Sequence, residues 1–117
     1  MRALRGATTV EANDAEAILA ATAELLSALA QENRVGSADL VSAVFTVTTD
    51  LDAAFPAAAA RRLGWDLAML CATEIPVPGA LAHCIRVLLH AELPDGARPR
   101  HVYLRGATGL RPDLAYE

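Results

Sequence analysis

The stretch Cys84-Ile85-Arg86-Val87-Leu88-Leu89 is apolar at every position but one, and it reads as a strand running into a core. Arg86 in its middle needs a reason. An unpaired buried charge costs several kcal/mol even after relaxation, and a guanidinium cannot escape by losing its proton. Either a carboxylate of the protein meets Arg86 or a bound anion does.

Outward from that strand, which the pattern runs from Ile85 to Ala91, the sequence alternates strand and helix signals. Upstream, Pro76-Val77-Pro78-Gly79 forces a loop, and Asp66 to Ala72 reads as a third strand. Before it, Pro56 is placed as the first residue of an alanine-rich helix running to about Leu63, with Gly64 as its stop. Leu40 to Thr48 is rich in β-branched residues and predicts a central second strand. A long helix precedes it: Asn13 and Glu16 form an Asn variant of the capping box, and Ile18, Leu19, Leu25, Leu26 and Leu29 make one apolar stripe ended by Asn33-Arg34-Val35-Gly36. Residues 2–10 predict the first strand. Downstream, a Pro94-Asp95-Gly96 turn leads to a fifth strand, His101 to Leu104. The order β-α-β-α-β-loop-β-β predicts a single domain over residues 1–117, an α/β or α+β sandwich with a mixed sheet and helices on one side. The pentapeptide Leu-Arg-Gly-Ala-Thr occurs at 4–8 and again at 104–108; it is too short for a structural repeat and reads as coincidence or as two similar strand exits.

Composition narrows the function classes. The chain has 117 residues, enough for a core without disulfide or metal staples. Its hydrophobic fraction of 54% is high while aromatics are only 4%, so the excess is alanine, valine and leucine, some of it available for burial between subunits. All ten basic residues are arginine, scattered among fourteen acidic ones for a net charge of −4, which argues against nucleic acid as a partner. The N-terminus has no signal-peptide core and no apolar run is long enough to span a bilayer, so a cytoplasmic protein with no membrane partner is expected. Cys71 and Cys84 show no metal-knuckle or redox spacing, and His83, His90 and His101 show no zinc pattern, so no metal is expected.

Several polar groups stand where apolar ones belong: Arg5 at a strand end, Cys71 and Glu74 leaving the third strand, Arg86 in the fourth, Tyr103 in the fifth. Lining one cleft, they suit a small dianion, because arginine gives bidentate, charge-assisted bonds to carboxylates. Taken singly each has a plainer reading. Arg86 with Glu74 makes an internal ion pair, Cys71 is core, Tyr103 is surface, and Arg5 is solvated.

In order along the chain, Arg5-Gly6-Ala7-Thr8-Thr9-Val10-Glu11, Phe55-Pro56-Ala57 with Arg61, Gly64-Trp65, Cys71 with Glu74, Cys84-Ile85-Arg86-Val87, and Arg100-His101-Val102-Tyr103-Leu104 with Leu110-Arg111-Pro112-Asp113-Leu114 resemble the monofunctional, trimeric AroH-type chorismate mutases. The resemblance spans nearly the whole chain. It implies a homotrimer built as a pseudo-α/β-barrel, with active sites in clefts between neighbouring subunits. It also implies the Claisen rearrangement of chorismate to prephenate, on the route to phenylalanine and tyrosine, without metal or organic cofactor.

By the resemblance, Arg86 stabilises charge growing on the breaking ether oxygen, so the anion is its partner, and Glu74 makes a separate contact to the ring hydroxyl, which it orients with Cys71. Arg5 and Tyr103 grip a carboxylate. Phe55, Ala57, Arg61, Leu70, Ala72, Thr73, Leu110 and Arg111 line or close the site, partly from the neighbour. Ala58 and Leu70 stand where the family pattern has a lysine and a threonine, so neither is expected to contribute such a side-chain contact. A non-catalytic trimeric carboxylate binder of similar fold, and a purely structural trimer with an Arg86 to Glu74 ion pair, are the competing readings.

Overall fold

A computed structural model describes residues 1–110. Its strands are β1 (Arg2–Thr9), β2 (Leu40–Val47), β3 (Ala68–Thr73), β4 (Cys84–Ala91) and β5 (Val102–Tyr103), and its helices are α1 (Ala15–Asn33) and α2 (Ala57–Arg62), with short 3-10 turns at Ser37–Asp39 and Arg105–Gly109. The strands form one mixed sheet in the order β3-β2-β4-β1-β5. β4 runs antiparallel to both β1 and β2, while β2 with β3 and β1 with β5 are parallel pairs. β2 has a partner on each side, as expected of an interior strand, but the middle position belongs to β4, the strand that carries Arg86.

One face of this sheet makes the core. Leu4, Phe45, Val87 and Leu89 pack against Leu25, Leu26 and Leu29 of α1, all of them buried. Close approach of α1 depends on Gly6: a Cβ there would lie 2.8 Å from Leu29 Cδ1 and 3.0 Å from Leu25 Cδ1. The opposite face carries Val44, Thr46, Leu70, Ala72, Arg86 and Leu88 by strand alternation and is covered by neither helix. Leu70 is 70% exposed on it.

Some local expectations need correcting. Asp14, not Asn13, caps α1, its Oδ2 accepting the Ala17 N–H at 3.0 Å. Asn13 instead holds the approach to α2: its Nδ2 donates to Asp52 Oδ1 at 2.7 Å, and its Oδ1 accepts the backbone N–H of Asp52 and Ala53. Pro56 caps α2 rather than opening it, β3 starts at Ala68 rather than Asp66, and β5 shrinks to two residues. Gly64 does end the α2 segment, at φ 80°. The two Leu-Arg-Gly-Ala-Thr copies adopt different conformations: residues 4–8 lie inside β1, and most of the second copy forms the 3-10 turn, so they are not two similar exits.

Candidate active site

The sheet face left open by the helices holds a cleft of about 460 Å³ lined by Arg5, Gly6, Ala7, Val44, Thr46, Arg86, Val87, Leu88, Tyr103 and Leu110. Its size suits a small organic ligand. Strand register builds it: Ala7 and Thr46 flank Arg86 from β1 and β2, and Leu88 lies between Arg5 and Val44 one pleat away. Tyr103 comes in beside Ala7 on β5. Beneath the cleft, Ala7, Cys84, Tyr103 and Ala107 form a small buried cluster with Leu81 and Leu110 against it.

Glu74 reaches the same place from the end of β3. Its backbone N–H donates to Val47 O at 2.8 Å, continuing the β2/β3 ladder, and its Oε2 accepts the Thr46 hydroxyl at 2.8 Å. The carboxylate is thereby held over Arg86, with Oε2 3.1 Å from Nε. Arg86 therefore has a protein partner, and the expectation that the anion alone satisfies it is corrected: Thr46, opposite Arg86 in the register, steers Glu74 into contact. That contact is one of charge rather than a directed hydrogen bond, since the buried Nε–H has no acceptor in line. Arg86 remains 43% exposed while Glu74 is 17% exposed, so the guanidinium still faces the cleft beyond its partner.

The entry to β4 is clamped before Arg86 is reached. Thr48 Oγ accepts the Cys84 N–H at 3.0 Å, Asp50 Oδ2 accepts the His83 N–H at 3.0 Å, and Val10 N–H donates to His83 O at 3.0 Å. His83 is held at φ 49°, an uncommon conformation for a side-chain-bearing residue. Burial pushes the Cys84 thiol up; the neighbouring Arg86 opposes this and Glu74 reinforces it. The thiol stays protonated at neutral pH and leaves the Arg86 charge uncompensated by a thiolate.

The other expected site residues lie elsewhere on the chain. A second groove, of about 350 Å³, runs along the β3 edge and is lined by Phe55, Cys71, Ala72 and Thr73 together with Val47, Pro56 and residues 51–54. Cys71 pairs with Phe45 in register and packs against the main core, on the sheet face opposite Arg86. Within one chain Cys71 and Glu74 do not meet: they are three residues apart, but Cys71 points to the helix face and Glu74 folds over the other. Phe55 is 70% exposed at the groove's mouth. Arg61 is exposed on α2, Leu70 projects from the open face, and Ala57 is buried in the main core. Leu110 lines the first cleft, and Arg111 lies outside the described residues. Thr46 and His101, which accepts the Arg5 N–H, were not singled out from sequence; the only signal was a threonine on the second strand and a histidine next to Tyr103.

Among the described residues, no group of three or more His, Cys, Asp or Glu is arranged to hold a metal ion, and no helix is long and apolar enough to cross a membrane. What the fold and cleft define is a small α+β protein whose open sheet face offers two arginines, a tyrosine and a held carboxylate to an anionic ligand.

The sequence model of chorismate mutase type I matches residues 1–114, and the chain belongs to that family. It is 49% identical over 118 residues to the chorismate mutase AroH of Thermus thermophilus, covering 97% of this chain and 96% of that one. With the chorismate mutase AroH of Bacillus subtilis (strain 168) it shares 42% over 119 residues, covering 98% and 93%. The solved chorismate mutase from Clostridium thermocellum superposes with a TM-score of 0.89 at 50% identity, over 92% of this chain and 98% of that one.

Proposed function

We propose that the protein rearranges chorismate to prephenate at sites assembled between the subunits of a homotrimer. The chain is a chorismate mutase, an isomerase of aromatic amino acid biosynthesis, with chorismate as its substrate. The finer points, namely the residues and the assembly, are our reading, and one observation carries them: a single chain holds two separate half-sites, Arg5, Arg86 and Tyr103 lining one cleft with Glu74 against Arg86 at its side, and Phe55, Cys71 and Thr73 in another groove. Apposing the cleft of one copy to the groove of the next completes the set. The sheet face beside the cleft, with Leu70 and Leu88 exposed, supplies apolar surface for that contact.

In the rearrangement, the C–O bond breaks ahead of full C–C bond formation, so negative charge grows on the ether oxygen. Arg86, aimed into the cleft from a rigid central strand, meets that charge with a preorganised cation, an interaction stronger in the transition state than in the ground state. Glu74 accepts the ring hydroxyl while keeping Arg86 in place. Arg5 and Tyr103 take a carboxylate, which selects the compact conformer in which the two reacting ends meet. Phe55, Arg61, Ala72, Thr73 and Cys71 close the pocket from the neighbour, with Leu70 at the interface and Leu110 and Arg111 covering the cleft. No side chain transfers a proton, and we place the reaction in the cytoplasm.

The 3.1 Å contact between Arg86 and Glu74 favours a second reading, a structural ion pair with no ligand. Loss of the ultraviolet absorbance of chorismate on adding purified protein decides between them. Turnover supports the site; none, with a folded trimer, overturns it.

A further inference from the structure

We propose that His101 is a positioning residue for this reaction, its ring standing in for a missing rung of the sheet and thereby fixing the edge of the cleft that carries Arg5 and Tyr103. The inference rests on the reading of those two as substrate-gripping groups. Its observation is a hydrogen bond of 2.9 Å from the Arg5 backbone N–H to His101 Nδ1.

β5 is two residues long and pairs with β1 only through Gly6 with Val102 and Ala7 with Tyr103, plus the Leu104 N–H that donates to Ala7 O at 2.9 Å. Arg5 and Ala7 turn their backbone groups toward this edge by strand alternation. In a longer parallel ladder the Arg5 N–H would find a carbonyl of the incoming strand. Here it finds an imidazole nitrogen instead. The ring lengthens the ladder by one bond at the residue whose side chain enters the cleft.

The chain leading into His101 is itself anchored. Asn33, buried at the last turn of α1, accepts the Arg100 N–H at 2.7 Å and donates to Arg100 O at 2.9 Å and to Leu29 O at 2.8 Å. The residue before His101 is thus tied at both backbone groups to the helix, which fixes where the chain delivers the Cα of His101. Arg5 is presented by β1, β1 is braced by the His101 ring, and the backbone leading into His101 is braced by α1. Accepting from Arg5 requires a bare Nδ1, which fixes how the ring carries its proton.

Three variants and one spectrum test this. His101→Asn places an amide oxygen near the position of Nδ1, His101→Gln carries its acceptor one bond too far, and His101→Leu has none. The asparagine variant keeps kcat/KM within about threefold of wild type, while the glutamine and leucine variants lose about tenfold to a hundredfold, the size expected of a misplacement by a fraction of an ångström to one ångström. The loss falls on KM as well as kcat, since Arg5 grips a carboxylate. In the wild-type protein, nitrogen NMR at neutral pH shows an unprotonated Nδ1 on His101. A leucine variant as active as wild type, an asparagine variant no better than glutamine, or a protonated Nδ1 overturns the proposal. Should the leucine variant fail to fold, the asparagine and glutamine pair and the spectrum still decide. Absence of turnover in wild type would sink the site reading instead, and leave the spectrum to judge the hydrogen bond.

Discussion

Replacing Arg86 by alanine separates catalysis from stability, because the proposed site gives the side chain two jobs of different size. Loss of one preorganised donor to a developing oxyanion costs about 3–4 kcal/mol, a hundredfold to a thousandfold in kcat, and a full cation belongs at the upper end. The stability side is smaller. At 3.1 Å, the Arg86 to Glu74 attraction is about 5 kcal/mol in an effective dielectric of about 20. Most of that is offset by drawing two charges from water, and with Arg86 43% exposed the net is about 1 kcal/mol. Glu74 is not orphaned by the change, since the Thr46 hydroxyl still donates to it at 2.8 Å. Arg86→Ala should therefore cut chorismate turnover about a thousandfold while lowering the thermal midpoint by about 4 °C. Initial rates from chorismate absorbance and a melt followed by circular dichroism read the two numbers. A variant within tenfold of wild-type rate would refute the electrostatic role, and a variant that unfolds would favour the structural ion pair.

Glu74→Gln keeps a hydrogen-bond acceptor for Thr46 but removes the charge facing Arg86, so kcat/KM should fall about tenfold and the melting midpoint by about 4 °C, as the same ion pair is lost; an unchanged rate would show that the carboxylate contributes no charge to the site. Gly6→Ala pushes a methyl to 2.8 Å from the buried Leu29 and should destabilise by about 1–3 kcal/mol in a denaturant titration, unless α1 shifts freely. The rate should be nearly flat across neutrality, because the chemistry uses no proton transfer; a profile requiring ionisation of a group near pH 7 would contradict it. Burial pushes the Asp50 carboxyl up, but hydrogen bonds from the Thr48 hydroxyl and the His83 N–H, with the His83 charge, outweigh it and hold it below its ordinary value. Its contribution to stability is thus present above the ordinary carboxylate range and is lost as pH falls through the depressed value. Melting midpoints from about pH 6 down to about pH 3 should fall less steeply for Asp50→Asn than for wild type.

Much of the architecture was legible because short-range signals agree with the fold. The β-branched run at Leu40 to Thr48, the apolar stripe from Ile18 to Leu29 and the Gly64 stop each act within one element, and each holds in the structure. Choices between adjacent groups were not legible: Asn13 and Asp14 both suit a cap, and which one turns inward depends on where the distant Asp52 loop lies. The residues proposed for the site could be named from the sequence, but their geometry could not be read there. Which sheet face Cys71 takes follows from its pairing with Phe45, and Glu74 meets Arg86 only because Thr46 lies opposite Arg86 in a register set by strands far apart in sequence. His101 stood in the Arg100-His101-Val102-Tyr103 motif, but its hydrogen bond to Arg5 was not legible there, since it depends on β5 being only two residues long.

The proposed division of the site between the subunits of a trimer is tested by mixing two variants that should each be inactive. Arg86→Ala spoils the cleft, and Phe55→Glu spoils the groove by adding a negative charge to the wall that closes over a dianionic substrate. In coexpressed, randomly mixed trimers, a site is intact when its cleft comes from a Phe55→Glu copy and its groove from an Arg86→Ala copy, half of the draws in each case. Turnover should return to about one quarter of the wild-type value. A mixture as inactive as its two components would contradict a site shared between subunits.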